Sequence, residues 1–237
     1  MSRVRAAVRR RVDGARHRGD AVRCPLCGSR FDAFKPAWNR AQAICWRCGA
    51  HERHRFTWLF LEQRPELLRG AGSLLHFAPE NALERRLREI SGLRYVTADL
   101  DPAKGELALD LRALDLPDAA FGAVLCSHVL EHIEDDAQAM RELRRITASG
   151  GWALVMVPID HGRTTTYEDP AIVTAEQRRA AFWQDDHVRL YAPDVADRLA
   201  AAGFTVERVQ AGEALGLETV LRHGLLAGEE LHLCSVV

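Results

Sequence analysis

No segment of this sequence is apolar for long enough to span a membrane, which takes about 20 consecutive apolar residues in a helix. The basic N-terminal region also lacks the apolar stretch that defines a secretory signal peptide. Of the 6 cysteines, four stand in two close pairs, while Cys126 and Cys234 stand alone in apolar runs, as buried free thiols do. We therefore expect a cytoplasmic protein without a membrane partner.

The sequence also lacks a large net charge, because its 32 Lys and Arg residues nearly balance its 33 Asp and Glu residues. The balance is uneven along the chain, since arginines crowd the N-terminal region. We interpret residues 1–23 as a basic arm, which is either a solvated tail or a segment that binds phosphates. The length of 237 residues and the 47% hydrophobic content suffice for a globular core with a small appendage.

Two Cys-x-x-Cys pairs, Cys24/Cys27 and Cys45/Cys48, are separated by a spacer of seventeen residues. Each pair can place two thiolates on one tight turn, and a glycine after each second cysteine relieves that turn. Four sulfurs complete a tetrahedral zinc shell, whereas a redox motif needs only one pair. The spacing predicts a structural zinc ribbon over residues 24–54.

The segment after the ribbon, residues 55–72, is too apolar for a flexible linker, so we expect a connecting helix there. From Ser73 to Asp101 the pattern predicts a strand, a sharp turn, a helix and a second strand, the opening unit of a nucleotide-binding α/β sheet. The second strand ends at Asp99, and a short strand ends near Asp110. Both carboxylates are expected at the carboxyl edge of the sheet, where open α/β sheets bind ligands.

Strands and helices continue to alternate after this unit, and the periodicity fails only over residues 161–187. This polar insertion is a candidate lid over the binding edge. His128, just after the fourth predicted strand, and His187 in the insertion are the candidate catalytic residues. Glu131 and His132 invite a catalytic reading too, but an acid and a histidine at a helix start are commonly structural.

Three further segments carry a resemblance to a known family: DLRALDLPDAAFGAVLCSHVLEHI, RELRRITASGGWALVMVP and HVRLY. They resemble the class I S-adenosylmethionine-dependent methyltransferases, in particular the broad group called type 11. The resemblance implies an α/β fold with a Rossmann-like sheet of seven strands, helices on both faces and an antiparallel last strand. It assigns residues 73–237 to the methyltransferase domain, with the zinc ribbon as a small N-terminal addition.

The resemblance also implies a cofactor site. Asp99 resembles the acid that binds the ribose hydroxyls, and Asp110 resembles the acid that receives the adenine amine. The expected cofactor-binding residues are Ala78, Glu80, Asp99, Leu100, Asp110, Leu111 and Ser127. The first turn departs from the family, which commonly has Asp-x-Gly-x-Gly-x-Gly where this chain has His76-Phe-Ala-Pro-Glu-Asn-Ala82. Glu80 would repel a pyrophosphate but suits a sulfonium and an ammonium, which favours S-adenosylmethionine over NAD.

Three functions remain open at this point. The preferred one is methylation of a small metabolite, such as a sugar or a natural-product intermediate, with S-adenosylmethionine as cofactor and zinc as a structural ion. A zinc-ribbon RNA methyltransferase, which would use the basic arm to hold phosphates, is the alternative. The missing glycines favour a third reading, a non-catalytic scaffold that binds the cofactor, whereas Asp99, Asp110 and the candidate lid oppose it.

Overall fold

The structure is a computed structural model that describes residues 12–237, so residues 1–11 of the expected basic arm lie outside the described residues. The strands are β1 (Arg18–Arg23), β2 (Arg30–Phe31), β3 (Lys35–Ala37), β4 (Arg40–Ile44), β5 (Ser73–Phe77), β6 (Arg94–Asp99), β7 (Leu107–Ala108), β8 (Phe121–Ser127), β9 (Thr147–Met156), β10 (Thr205–Gln210) and β11 (Glu230–Ser235). The helices are α1 (Glu52–Gln63), α2 (Pro65–Ala71), α3 (Asn81–Arg88), α4 (Asp136–Ile146), α5 (Ala175–Phe182), α6 (Val195–Ala201), α7 (Ala211–Leu215) and α8 (Leu217–His223), with a 3₁₀ turn at Leu130–His132. Across residues 12–237, no helix combines the length and hydrophobicity that a membrane crossing requires.

The chain divides into two compact units that each draw on more than one stretch of sequence. The first comprises the described residues up to Leu67, together with Glu80–Ser91 and Val209–Glu229. The second comprises Leu68–Pro79, Gly92–Arg208 and Glu230–Val237. The paired cysteines belong to the first unit, and most of the large sheet belongs to the second.

The first unit begins with two small antiparallel pairs, β1 with β2 and β3 with β4. Arg18–Arg23, which the composition groups with the basic arm, forms β1. Helix α1 follows and buries its central apolar residues, from Phe56 to Leu61. Pro65 begins α2, because proline suits the first turn of a helix but cannot continue one. Along the chain, two helices thus lie between β4 and β5.

The large sheet has seven strands in the order β10, β11, β9, β8, β5, β6, β7. Strands β5 to β9 run parallel, and β11 runs antiparallel to β9. This order confirms the predicted α/β class, with a Rossmann-like sheet of seven strands and an antiparallel last strand. Consecutive parallel strands need crossover connections, which is why helices and strands alternate so regularly in the sequence.

Strand β9 begins earlier than the sequence suggests. Ser149-Gly150-Gly151 reads as a turn before the strand, but it is a bulge within β9, where the pairing with β8 shifts between Phe121 and Ala123. Glycine is required at the last of these three positions, because a Cβ on Gly151 would lie 2.5 Å from the carbonyl oxygen of Gly122. Close approach of two backbones is a common reason for glycine inside a strand.

The core of the second unit is apolar and continuous. It combines β-strand residues with one face of α4, whose Ala139, Met140, Leu143 and Ile146 are fully buried. The two isolated cysteines, Cys126 and Cys234, are also fully buried, as predicted. Strand β5 lies near the middle of this sheet, between β6 and β8. The chain adds β6 and β7 on one side of β5, and then β8 and β9 on the other side. Such a switch point leaves a crevice at the carboxyl ends of the strands.

Candidate active site and metal centre

A cavity of about 810 Å³ opens in the second unit at this switch point. Its lining residues follow β5, β6, β7 and β8, and three come from the segment around α5. They are Phe77, Ala78, Asp99, Leu100, Asp101, Lys104, Leu109, Asp110, Leu111, Arg112, His128, Val129, His132, Ile133, Glu134, Arg178, Asp186 and Val188. A volume of this size is in the range of cavities that hold cofactors and drug-sized ligands.

Two lining residues adopt a backbone conformation that non-glycine residues rarely use. Ala78, after β5, has φ 47°, and His128, after β8, has φ 55°. Ala78 stands where the family commonly has its first glycine, and its N–H donates to the carbonyl of Ala98 at 2.8 Å. The left-handed turn that a glycine allows is therefore retained with alanine, at a modest cost in strain. Strained residues of this kind concentrate at ligand sites.

Asp99 and Asp110 lie on the cavity wall, as expected for residues at the edge of the sheet. One oxygen of Asp99 accepts the N–H of Asp101 at 2.9 Å, which orients the carboxylate. Arg112 pairs with Asp110 at 2.7 Å, and this pairing lowers the pKa of Asp110. An ionised carboxylate has several acceptor positions, so both acids keep capacity for a ligand.

Gly105 supports the position of Asp99. A Cβ at Gly105 would lie 2.6 Å from the Asp99 amide nitrogen and 2.8 Å from the Ala98 carbonyl carbon. The Asp-Pro-Ala-Lys-Gly segment is recognisable as a turn in the sequence, but the close approach that requires its glycine follows only from the folded chain. Any larger residue would push the end of β6 away from its place.

His128 and Glu131 form a pair at the cavity. Nδ1 of His128 lies 3.1 Å from Oε1 of Glu131, and the His128 side chain is 24% exposed while that of Glu131 is fully buried. Burial acts to raise the pKa of Glu131, but the neighbouring histidines outweigh it, so that the pKa is lowered. The carboxylate therefore remains charged in an almost dry environment.

His187 lies behind the cavity wall and does not line it. Its Nδ1 is 2.9 Å from the carbonyl oxygen of Phe182, and burial lowers the pKa of the imidazole. Val188 N–H donates to the Glu131 carbonyl at 2.9 Å, which brings His187 against the 3₁₀ turn. The ring of His187 packs edge-on against His132 at 4.8 Å.

Two other expected cofactor residues, Ser127 and Glu80, are not among the residues that line this cavity. Ser127 is the last residue of β8 and is half-buried, but it does not line the cavity. Glu80 belongs to the first unit, where its carboxylate lies 3.3 Å from Nε2 of His54. The expected residues that do line the cavity are Ala78, Asp99, Leu100, Asp110, Leu111 and the candidate catalytic residue His128.

Arg189, from the HVRLY segment, clamps residues 130–134, the loop that contains Glu131 and His132. Its guanidinium is 2% exposed and donates to the carbonyl oxygens of Leu130, Ile133 and Glu134. It also pairs with Glu168 at 3.1 Å. The planar group with five donors suits this arrangement, in which one side chain fixes several backbone carbonyls.

The four cysteines of the first unit come together in two turns of the same geometry. Gly28 N–H donates to the Cys24 carbonyl at 2.9 Å, and Gly49 N–H donates to the Cys45 carbonyl at 3.0 Å. Both glycines have positive φ, 70° and 77°. The glycine that follows each pair in the sequence is therefore needed for the left-handed end of its turn.

The sulfur distances fit a zinc ion. Sγ of Cys24 lies 3.6 Å from that of Cys48, and Sγ of Cys27 lies 3.7 Å from that of Cys45. All four atoms lie within 4.8 Å of one another. Zinc–sulfur bonds of about 2.3 Å in a tetrahedron place the sulfurs about 3.8 Å apart. None of these cysteines forms a disulfide.

A buried arginine supplies positive charge near this cluster. Arg55 is fully buried, and its donors reach the carbonyl oxygens of Gln42, Ala43, Ala50, His223 and Gly224. Burial lowers the pKa of Arg55, while the charges of Cys24 and Glu52 oppose this effect. A four-thiolate zinc centre carries a net negative charge, which would compensate such a cation.

Sequence reasoning missed several cavity residues. Lys104, Arg112 and Arg178 line the cavity, but their patterns resemble those of solvated loop residues. The sequence leaves Glu131 open between a catalytic role and that of a structural acid at a helix start, and its complete burial cannot be seen from its sequence neighbours. Two nearby apolar residues, Leu130 directly before it and Ile133 two positions after it, are the only local signal for that burial.

Comparison with known proteins supports the resemblance. Residues 74–155 match the family described as "Methyltransferase domain". A curated relative, the malonyl-(acyl-carrier protein) O-methyltransferase of Halorhodospira halophila, is 34% identical over 110 residues. The match covers 46% of this chain but only 34% of that protein.

Solved structures share the fold at low sequence identity. An S-adenosylmethionine-dependent methyltransferase from Mesorhizobium loti has a TM-score of 0.50 and 16% identity, over 76% of this chain and 96% of that chain. The cyclase SpnF has a TM-score of 0.55 and 14% identity, over 86% and 87% of the two chains. Residues 74–155 thus match a methyltransferase domain, and the sheet order is that of the class I fold.

Replacing Arg189 with alanine tests the clamp. Loss of the guanidinium leaves the carbonyls of Leu130, Ile133 and Glu134 without their donor, while Glu168 keeps its pair with Arg198. Each unsatisfied buried acceptor costs about 1–3 kcal/mol, so we expect the free energy of unfolding to fall by about 3–5 kcal/mol. Arg163→Ala is the control, because its pair with Asp160 is 47% and 27% exposed and such pairs contribute at most about 1 kcal/mol. Denaturant unfolding measures both, and similar small losses for the two variants would contradict the clamp.

Proposed function

We propose that this protein transfers a methyl group from S-adenosylmethionine to a small molecule. The observation that carries the proposal is the cavity at the switch point, which is lined by Asp99, Asp110 and His128. The cofactor would supply an activated methyl group on a sulfonium. Asp99 would hold its ribose hydroxyls, Asp110 its adenine amine, and the apolar side chain of Leu111 would pack against the ring.

Leu100 also fits this arrangement. Its side chain is 73% exposed, an unusual state for a leucine, and it lies on the cavity wall next to Asp99. A bound nucleoside would cover that apolar surface. Burial of apolar area contributes roughly 25 cal/mol per Å², so covering Leu100 favours the bound state.

His128 is the proposed proton acceptor when the methylated atom is a hydroxyl oxygen. Its Nδ1 lies 3.1 Å from the buried Glu131 carboxylate, whose charge would stabilise the imidazolium that forms. The related Halorhodospira protein is named as an O-methyltransferase, which supports an oxygen acceptor. His187 is less suited to this role, because its side chain is 4% exposed and does not line the cavity.

The charges around the cavity favour a compact acceptor over a nucleic acid. Five acids line it, Asp99, Asp101, Asp110, Glu134 and Asp186, against Lys104, Arg112 and Arg178. Binding along a phosphate backbone depends on cationic groups and counterion release. Residues 161–187, which contribute Arg178 and Asp186 to the wall, would close over a small acceptor and hold it in line with the methyl group.

A second candidate function, RNA methylation, has one observation in its favour. The first unit has a pocket of about 590 Å³ beside the cysteine turns, lined by Arg23, Arg47, Arg85, Arg86 and His223 as well as by two glutamates. Arginines grouped in this way can hold phosphates. We keep this function as the alternative, because the acidic cavity opposes it.

The cysteine cluster is proposed to bind one structural zinc ion. Zinc would hold a ribbon whose strands are too short to build a core of their own. The reduced cysteines favour a cytoplasmic location, where thiols are not oxidised to disulfides.

Removal of the ion should destabilise the ribbon. Cys24→Ser is expected to lose stoichiometric zinc and to lower the melting temperature, and a chelator should have the same effect on the native protein. Cys126→Ala, at a buried cysteine of the other unit, serves as the control and should retain zinc. Elemental analysis and thermal melting are the measurements, and a native protein without zinc would contradict the proposal.

The ribose contact of Asp99 is tested by calorimetry. Asp99→Ala removes a charged acceptor, so the affinity for S-adenosylmethionine should fall by about 1.5–3 kcal/mol. Asp115→Ala is a matched control, because Asp115 is exposed and does not line the cavity. Unchanged affinity in the Asp99 variant would remove this residue from the cofactor site.

The acceptor class is tested by methyl transfer from labelled S-adenosylmethionine to a metabolite mixture and to total RNA, with RNA binding measured across a salt series. We expect label in small molecules and weak RNA binding. Steeply salt-dependent RNA binding that an Arg47→Glu/Arg85→Glu protein loses, together with labelled RNA, would support the alternative. Cofactor binding without any transfer would instead indicate a scaffold protein.

A further inference from the structure

A second cluster of metal-ligand side chains lies at the wall of the cavity, separate from the cysteines. One ligand atom from each of Glu131, His132 and His187 lies within 4.8 Å of the other two. Glu131 and His132 belong to the 3₁₀ turn after β8, and the hydrogen bond from Val188 to the Glu131 carbonyl brings His187 beside them. His132 also lines the cavity.

Glu131 is the member of this cluster that most needs an explanation. Its side chain is fully buried, and neither carboxylate oxygen accepts a well-aligned hydrogen bond from residues 12–237. His128 lies near Oε1, at 3.1 Å, but outside hydrogen-bond alignment. A fully buried carboxyl group is costly unless a partner satisfies its oxygens. A bound cation is such a partner.

The two histidines are already arranged as metal ligands usually are. Nδ1 of His187 lies 2.9 Å from the Phe182 carbonyl oxygen, which can only accept, so Nδ1 carries the proton and Nε2 keeps its lone pair. Nδ1 of His132 lies 3.3 Å from Oδ2 of Asp186, an acceptor toward which a proton on Nδ1 would point. Metal-bound histidines almost always donate their other N–H to a carbonyl or a carboxylate.

We propose that Glu131, His132 and His187 bind a divalent transition-metal ion. Two imidazoles and one carboxylate suit zinc, cobalt, nickel or ferrous iron, whereas magnesium and calcium prefer oxygen ligands. Bonds of about 2.1 Å would bring the ligand atoms to about 3–3.5 Å from one another, so side chains would move by about 1 Å on binding. The four-cysteine centre is closed, but this site has three protein ligands and leaves coordination positions open.

The role of this ion rests on the proposed methyl transfer, although its binding does not. Since His132 and Asp186 both line the cavity, the ion would border the space where the acceptor must lie. An oxygen acceptor bound to an open position would be held in place and would lose its proton more easily. Acceptors with a hydroxyl or carboxylate oxygen are therefore the class that this site fits.

Metal content and spectroscopy test the site directly. Purified protein supplied with zinc should hold two ions per chain, one at each cluster, by elemental analysis. Glu131→Gln, His132→Ala and His187→Ala should each hold one. Cobalt added to the native protein should produce the absorption of a nitrogen and oxygen site, without the strong thiolate-to-cobalt band. Asp186→Asn should weaken cobalt binding about 10–100-fold, because it removes the negative charge of the group that His132 faces.

His161→Ala is the control, since His161 is exposed and lies outside both clusters. The His132 variant guards against misfolding, because this side chain is 32% exposed, and its melting temperature should remain near that of the native protein. A native protein with only the thiolate ion, or a second ion retained in the Glu131 and His187 variants, would overturn the proposal. Calorimetry with S-adenosylmethionine separates this outcome from failure of the proposed function, because cofactor binding does not require the ion.

Discussion

The parallel pairing of β5 with both of its neighbours is the constraint on which the cavity depends. Phe77 pairs with Ala98 of β6 and with Cys126 of β8, so the three strands end at nearly the same level. The residues that follow these ends therefore meet, although they are far apart in sequence. A shift of one strand by one residue would turn its side chains to the other face and separate the acids from the histidines.

The structure also buries charged side chains in both units. Arg55 in the first unit and Arg189 in the second are both almost fully buried, and both use their donors mainly on backbone carbonyls. Each thereby ties together segments that are far apart in sequence, Arg55 joining residues 42–50 to residues 223–224 and Arg189 holding residues 130–134. Glu131 differs, because its oxygens lack a well-aligned donor among the described residues. That contrast is what makes Glu131 a candidate for function and the two arginines candidates for stability.

The first turn shows how a family pattern can change while its geometry persists. None of the three usual glycines is present, yet Ala78 adopts the positive φ that glycine would supply. Alanine can do so at a cost of roughly 1–2 kcal/mol, because it has no atoms beyond Cβ to clash. The sheet on either side of the turn determines the backbone path and opposes this small strain.

The sequence by itself determined the order of elements, the edge position of the two acids and the spacing of the cysteines. These follow from local rules: apolar runs, turn residues and the four thiolates that zinc prefers. Only the tertiary structure decided that His187 lies beside Glu131, that Arg189 holds residues 130–134, and that Gly105 must approach Asp99. Such contacts join residues more than fifty positions apart or depend on the distance between two backbones, and no periodicity in a single sequence encodes them. The tertiary structure also decided the burial of Glu131. That burial matters because a carboxylate without a partner is costly only where water is excluded.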